Sequence, residues 1–192
     1  MAEAALRRPP QVTAADWLIT LPPAARWVLH GDAQARALAA PVWGVGFSDT
    51  ACRALRAGER ATLWLAPDEY LLLDLAAQEE APPDEADRAL ATAASIEAAL
   101  RDTPHALVDV SHRQFALEVS GPHAEVILRG ACPLDLHISQ FPVGMCTRTV
   151  LAKADITLWR SREDAFHLEV WRSFADYVGG LLHEIAREFH PA

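Results

Sequence analysis

The sequence predicts an α+β fold made of two related β-β-α halves packed as one unit. Three observations carry that prediction. Apolar runs of strand length alternate with stretches of helical periodicity along the whole chain. Thr62-Leu63-Trp64 with Tyr70-Leu71-Leu72 and a long helix is echoed about 95 residues later by Thr157-Leu158-Trp159 with Phe166-His167-Leu168 and another long helix. Finally, 192 residues that are 51% hydrophobic and 22% charged can bury a sizeable core. The expected organisation is an N-terminal arm over residues 1–25, a first half over 26–103 and a second half over 104–192.

Pro9, Pro10, Pro22 and Pro23 surround a short apolar patch, Trp17-Leu18-Ile19, which suits an arm lying over a surface. Trp27-Val28-Leu29 reads as a strand, Asp32 as a helix cap, and the alanine-rich run to Ala40 as a short helix, with no helical signal beyond Pro41. Ala61–Leu65 and Tyr70–Leu75 form a hairpin across Ala66-Pro67-Asp68-Glu69. The acidic, proline-bearing stretch Ala76–Asp87 is expected to be a linker. After it, Ala86, Ala89, Leu90, Ala93, Ile96 and Leu100 recur at helical spacing. His105–Ser111 and Phe115–Ser120 read as strands. A helix follows with Pro122 at its first position and Gly130 after its end. Thr147–Trp159 and Phe166–Trp171 are strand-like. Ser173 and Asp176 match a capping signal for a last helix, whose stripe is Phe174, Tyr177, Val178, Leu181, Leu182, Ile185 and Phe189.

Composition narrows the function. Seventeen basic against 26 acidic residues give a net charge of -9, which leaves nothing to neutralise phosphates, so no nucleic-acid partner is expected. No apolar run reaches the roughly 20 residues of a membrane helix, and the opening residues lack the apolar core of a signal peptide. A cytoplasmic protein that does not enter a membrane is expected. Cys52, Cys132 and Cys146 are odd in number and widely spaced, which suits reduced thiols better than a disulfide framework or a metal knuckle.

Sequence motifs for chemistry mostly fail. There is no G-x-S-x-G elbow, and Ser111-His112 are neighbours on a strand end, where consecutive side chains diverge. His183-Glu184 is followed by Arg187 where a zinc-protease helix needs its second histidine. Gly44-Val45-Gly46 lacks the third glycine of a dinucleotide loop. Asp109, on the apolar strand Leu107–Val110, reads as a hydrogen-bonded buried acid pinning the next turn, with acid–base work as the alternative. No catalytic, cofactor-binding or metal-binding residue is assigned.

Val108-Asp109-Val110-Ser111-His112, then Leu117-Glu118-Val119-Ser120-Gly121-Pro122-His123-Ala124, then Leu128 resemble the signature of the folate-binding aminomethyltransferase superfamily, which includes the glycine cleavage T-protein. Cys132–His137, Phe141–Gly144, Thr147-Arg148-Thr149 and Val170–Tyr177 resemble the gamma subunits of bacterial heterotetrameric sarcosine oxidases, and Pro67–Leu73 also fits. The resemblance implies an α+β fold of ferredoxin-like halves, similar to the folate-binding domain of the T-protein. It further implies an accessory, non-catalytic role in the demethylation of sarcosine to glycine. The methyl carbon would pass to tetrahydrofolate or leave as formaldehyde, and oxygen would become hydrogen peroxide. FAD, FMN, NAD, tetrahydrofolate and zinc are implied in the alpha, beta and delta subunits, which would be the partners.

Catalytic superfamily members carry a glycine-rich segment and an acid between the two strands after the middle helix. Here that region is Leu151–Ile156, without glycine and with Asp155 as its acid. The alternative reading is a free-standing folate-binding aminomethyltransferase-like protein. Trp17 and Trp43 sit in irregular proline- and glycine-bearing segments and are the expected partner-interface residues.

Overall fold

Side-chain alternation along one strand sets out the layers. In the computed structural model, which describes residues 10–76 and 83–189, the strand Glu69–Asp74 (β5) sends Tyr70 and Leu72 into one apolar cluster and Leu71 and Leu73 into another, as the two-residue period of a strand requires. The first cluster is closed by Ala35, Ala39 and Trp43 of helix Ala33–Trp43 (α1) and by Ile96 and Leu100 of helix Pro83–Leu100 (α2). The second cluster meets Cys146 and Trp159 of a second sheet. That sheet's other face packs on Ala124, Ile127 and Leu128 of helix Ala124–Arg129 (α3) and on Ala175, Val178 and Leu182 of helix Ala175–Ala186 (α4). The layers thus run helices, sheet, sheet, helices.

Leu18–Thr20 (β1), Ala25–Gly31 (β2), Ala54–Ala57 (β3), Arg60–Ala66 (β4), β5, His105–Asp109 (β6), Gln114–Ser120 (β7), Cys146–Leu151 (β8), Ala154–Arg162 (β9) and Ala165–Trp171 (β10) form two five-stranded sheets. The first has the order β3-β4-β5-β2-β6 and the second β8-β9-β10-β7-β1, with antiparallel pairing throughout. These orders correspond strand for strand. Each sheet takes its fifth strand from the segment that precedes the other sheet's run of strands. β1 leads into β2 but pairs with β7, Leu18 opposite Val119, while β6 leads into β7 but pairs with β2, Val108 opposite Val28. The expected 26–103 and 104–192 halves therefore do not coincide with the sheets, and each repeat is longer than β-β-α.

Several local expectations are corrected. The surface over which the N-terminal segment lies is, within residues 10–20, this chain's own second sheet and α4. Leu18 is fully buried, His183 Nε2 donates to the Thr13 carbonyl at 2.6 Å, and Asp176 Oδ1 accepts from Gln11 N. Val12 lies so close to α4 that a Cβ on Gly179 would stand 2.7 Å from its Cγ1, so this mid-helix glycine is required by the segment laid across it. α1 runs through Pro41 to Trp43 and ends on Gly44, whose φ of 82° and N–H to the Ala40 carbonyl close the helix. Gly44 is thus a helix stop, and Asp32 caps the start by accepting from Ala35 N.

Half of the expected linker 76–87, residues 77–82, lies outside the described residues, and α2 starts within it at Pro83. Leu90, placed on the apolar stripe of α2 by its spacing, is 68% exposed. Pro122 and His123 form a turn before α3 rather than its first position. Thr147–Trp159 is not one strand: the chain folds back at Ala152-Lys153, with Ala152 at φ 51°. Neither residue is a turn former, which hid the hairpin. Ser173 lies in a single 3₁₀ turn, Arg172–Phe174, and α4 begins after it with no side-chain cap.

Candidate functional site

A charged cluster is buried where the two sheets face each other. On β2, Ala25, Trp27 and Leu29 turn toward the helices, which leaves Arg26 turned toward the second sheet. On β10, Phe166, Leu168 and Val170 take the helix side and His167 and Glu169 share the opposite face. Arg26, His167 and Glu169 are at most 3% exposed. Arg26 Nε donates to Glu169 Oε2 at 2.7 Å, and Arg26 Nη1 donates to the Ala24 carbonyl at 2.7 Å. His167 Nε2 lies 2.7 Å from Glu169 Oε1. Burial alone would raise the Glu169 carboxyl, but the Arg26 charge and the hydrogen bonds from His167 and Arg26 outweigh it and hold the group below its ordinary value.

The motif Asp109-Val110-Ser111 orients this cluster from the end of β6. Asp109 Oδ1 accepts from Ser111 N, Ser111 Oγ accepts from Arg26 N at 2.9 Å, and Val110 N donates to the Arg26 carbonyl. Asp109 does pin the turn, but it is exposed and not buried as expected. The cluster divides the seam between the sheets into two clefts. One, of about 280 Å³, is lined by Arg113, Gln114, Arg148, Asp155 and Trp171 beside Glu169; the other, of about 250 Å³, by Arg56, Glu59, Glu118 and Arg162 beside Arg26 and His167. Arg113 lies 5.4 Å over the exposed Trp171 ring, and Arg162 pairs with Glu118.

Chemically the cluster binds inward. Both Glu169 oxygens already accept from buried donors, so it ties β2 to β10, while Glu169 borders the first cleft and Arg26 and His167 border the second. Asp155 is exposed near the hairpin turn of β8 and β9. His112 is exposed, and His137 is engaged locally with Ser139. Among the described residues, no group of three or more His, Cys, Asp or Glu side chains is placed to hold a metal ion, and no helix is long and apolar enough to cross a membrane.

Trp43 corrects an expectation. It is fully buried between α1 and the first sheet, 5.9 Å from the Trp27 ring and 4.8 Å beneath Arg60, so it presents nothing to a partner. Its glycine-rich surroundings are a helix end, not a loop. Trp17 is half-buried against the second core, edge-on to His183 at 5.1 Å. Arg26, His167 and Glu169 were not singled out from the sequence. Their signal was present in β10, where charged residues at 167 and 169 occupy one face of an otherwise apolar strand.

The family model for the gamma subunit of sarcosine oxidase matches residues 30–188. The chain belongs to that family. It is 36% identical over 129 residues to the sarcosine oxidase subunit gamma of Corynebacterium sp. (strain P-1), a match covering 67% of this chain and 58% of the relative. Against the subunit gamma of Arthrobacter sp. the identity is 32% over 160 residues, covering 83% of this chain and 72% of the relative. The alignment therefore spans little more than half the length of the Corynebacterium protein.

In three dimensions the chain is similar to a chain of the heterotetrameric sarcosine oxidase from Corynebacterium sp. U-96, solved with pyrrole 2-carboxylate. The TM-score is 0.81 at 27% identity, and the match covers 97% of this chain and 98% of that one. The glycine cleavage system aminomethyltransferase T from Bartonella henselae shares the fold, with a TM-score of 0.59 at 15% identity over 86% of this chain and 44% of that one.

Proposed function

We propose that this chain is the accessory gamma subunit of a heterotetrameric sarcosine oxidase. It would assemble with alpha, beta and delta subunits that hold FAD, FMN, NAD, tetrahydrofolate and zinc. The assembly would oxidise sarcosine to glycine, pass the methyl carbon to tetrahydrofolate or release it as formaldehyde, and reduce oxygen to hydrogen peroxide. The observation that carries this reading is the near end-to-end match to a chain of a heterotetrameric sarcosine oxidase, 97% of this chain against 98% of that one. The contribution of this chain is packing and orientation. Its buried Arg26, His167 and Glu169 satisfy one another, and the hairpin Cys146–Arg162 turns on Ala152-Lys153, without the glycine that close approach to a folate would favour. We also read the matching strand orders as a duplicated unit that exchanges edge strands. Trp17, half-buried beside β1, is the candidate partner contact.

Co-expression with the three other subunits tests this. One stoichiometric complex that oxidises sarcosine is expected, with a colourless chain when this subunit is purified alone. Failure to co-purify, or tight binding of a reduced folate by the lone chain, would instead favour the free-standing aminomethyltransferase-like reading.

A further inference from the structure

The geometry points to Cys52 and Cys146 as a modification site, a thiol pair that a peroxide converts to a disulfide tying the loop after α1 to the second sheet. Arg53 and Met145 form an isolated antiparallel bridge between the two halves of the chain. On one side of it Cys146 N donates to the Cys52 carbonyl at 3.0 Å, and on the other Ala54 N donates to the Gly144 carbonyl at 2.8 Å. This register sets Cys52 opposite Cys146, joined by the single hydrogen bond from Cys146 N to the Cys52 carbonyl. Residues directly opposite in an antiparallel pairing hold their Cα atoms about 4.5–5.5 Å apart, within the roughly 4.4–6.8 Å that disulfides span.

Two further observations agree. Cys52 has φ 59°, a left-handed conformation that a residue with a Cβ adopts at a cost. Burial pushes the Cys146 thiol up to about 12; a backbone hydrogen bond at Trp64 opposes this, and charge on the neighbouring Cys52 adds to it. Cys52 is half-buried and Cys146 is buried, which assigns their roles. Cys132 is buried under the second sheet, beside Thr149.

The Cys52 thiolate attacks one oxygen of hydrogen peroxide, the O–O bond breaks, and a sulfenic acid forms as water leaves. The Cys146 sulfur then attacks the Cys52 sulfur, and its proton departs with the hydroxyl as a second water. The two thiols together lose two electrons and the peroxide oxygens gain them. Because Cys146 holds its proton tightly, the second step is the slower one.

The test uses the purified full chain, reduced and then treated with hydrogen peroxide, so it does not depend on assembly into an oxidase. After alkylation in denaturant, the expected product is a monomer with one thiol modified and a Cys52–Cys146 linked peptide in the non-reducing map. Its melting temperature should rise by about 5 °C or more, because the closed loop is long. Cys132→Ser should keep the link, and Cys52→Ser should abolish it. Three alkylated thiols after treatment, a link through Cys132, a link only between chains, or over-oxidation of Cys52 without a link would each overturn the proposal. None of these outcomes bears on whether the chain is a sarcosine oxidase subunit.

Discussion

Glu169 shows what a single buried charge demands of its surroundings. It is 1% exposed and remains ionised only because Arg26 and His167 donate to separate oxygens. Removing one member of such a cluster strands the others, at a cost of about 3–5 kcal/mol. Glu169→Gln is therefore expected to lower the urea unfolding free energy by that order. The pH dependence follows from the depressed carboxyl. Its stabilisation is fully present above the unfolded carboxylate value of about 4.3 and is lost as pH falls through the lower folded value. Urea midpoints measured from neutral to acid pH should fall for the native chain, and the part due to Glu169 should vanish in Glu169→Gln. An unchanged acid slope would show that Glu169 is not ionised in the fold. Polar residues on one face of β10 were legible locally, but the pairing was not, because Arg26 and Glu169 stand 143 residues apart and meet only when two sheets stack.

Among the elements, α4 was the most legible and still the most instructive in its errors. Its stripe of Val178 and Leu182 is fully buried as the 3.6-residue period predicts. Phe174 and Tyr177, from the same stripe, are 38% and 40% exposed, and Leu181 and Ile185 are only partly buried. Leu182→Ala should thus cost about 2–5 kcal/mol by leaving a cavity, and Leu181→Ala clearly less. Chemical denaturation of the two variants side by side checks the difference, and equal losses would place Leu181 in the core. Periodicity finds a helix and its general face, but the width of that face depends on what lies against it. Here the N-terminal segment covers Gly179, a contact between residues 12 and 179 that no local window contains. Helix and strand existence was largely readable. Chain reversals at Ala152-Lys153 and the continuation through Pro41 were not, because the residues there contradict the usual turn and breaker chemistry.

For the whole molecule, the repeat was legible as two short echoes, Thr62-Leu63-Trp64 and Thr157-Leu158-Trp159, which fall on the equivalent strands β4 and β9. The exchange of β1 and β6 was not, because edge strands of three and five residues carry little pattern. Fragments 24–103 and 104–192 should each fail to fold stably. Each lacks a fifth strand and exposes its side of the seam, with Leu63, Leu71 and Leu73 on one and Trp159 on the other. Circular dichroism melts of the separate fragments and of a co-refolded mixture test this, and two independently cooperative transitions would refute it. The same exchange bears on synthesis. Leu18 is among the first described residues to leave the ribosome, yet its partner Val119 is made about 100 residues later. At translation rates of about 5–20 residues per second, β1 waits roughly 5–20 s for the strand it pairs with. The first sheet likewise stays open at one edge until β6 is made. The nascent chain thus spends most of its elongation with unfinished sheet edges, open to intermolecular strand pairing until the second half arrives.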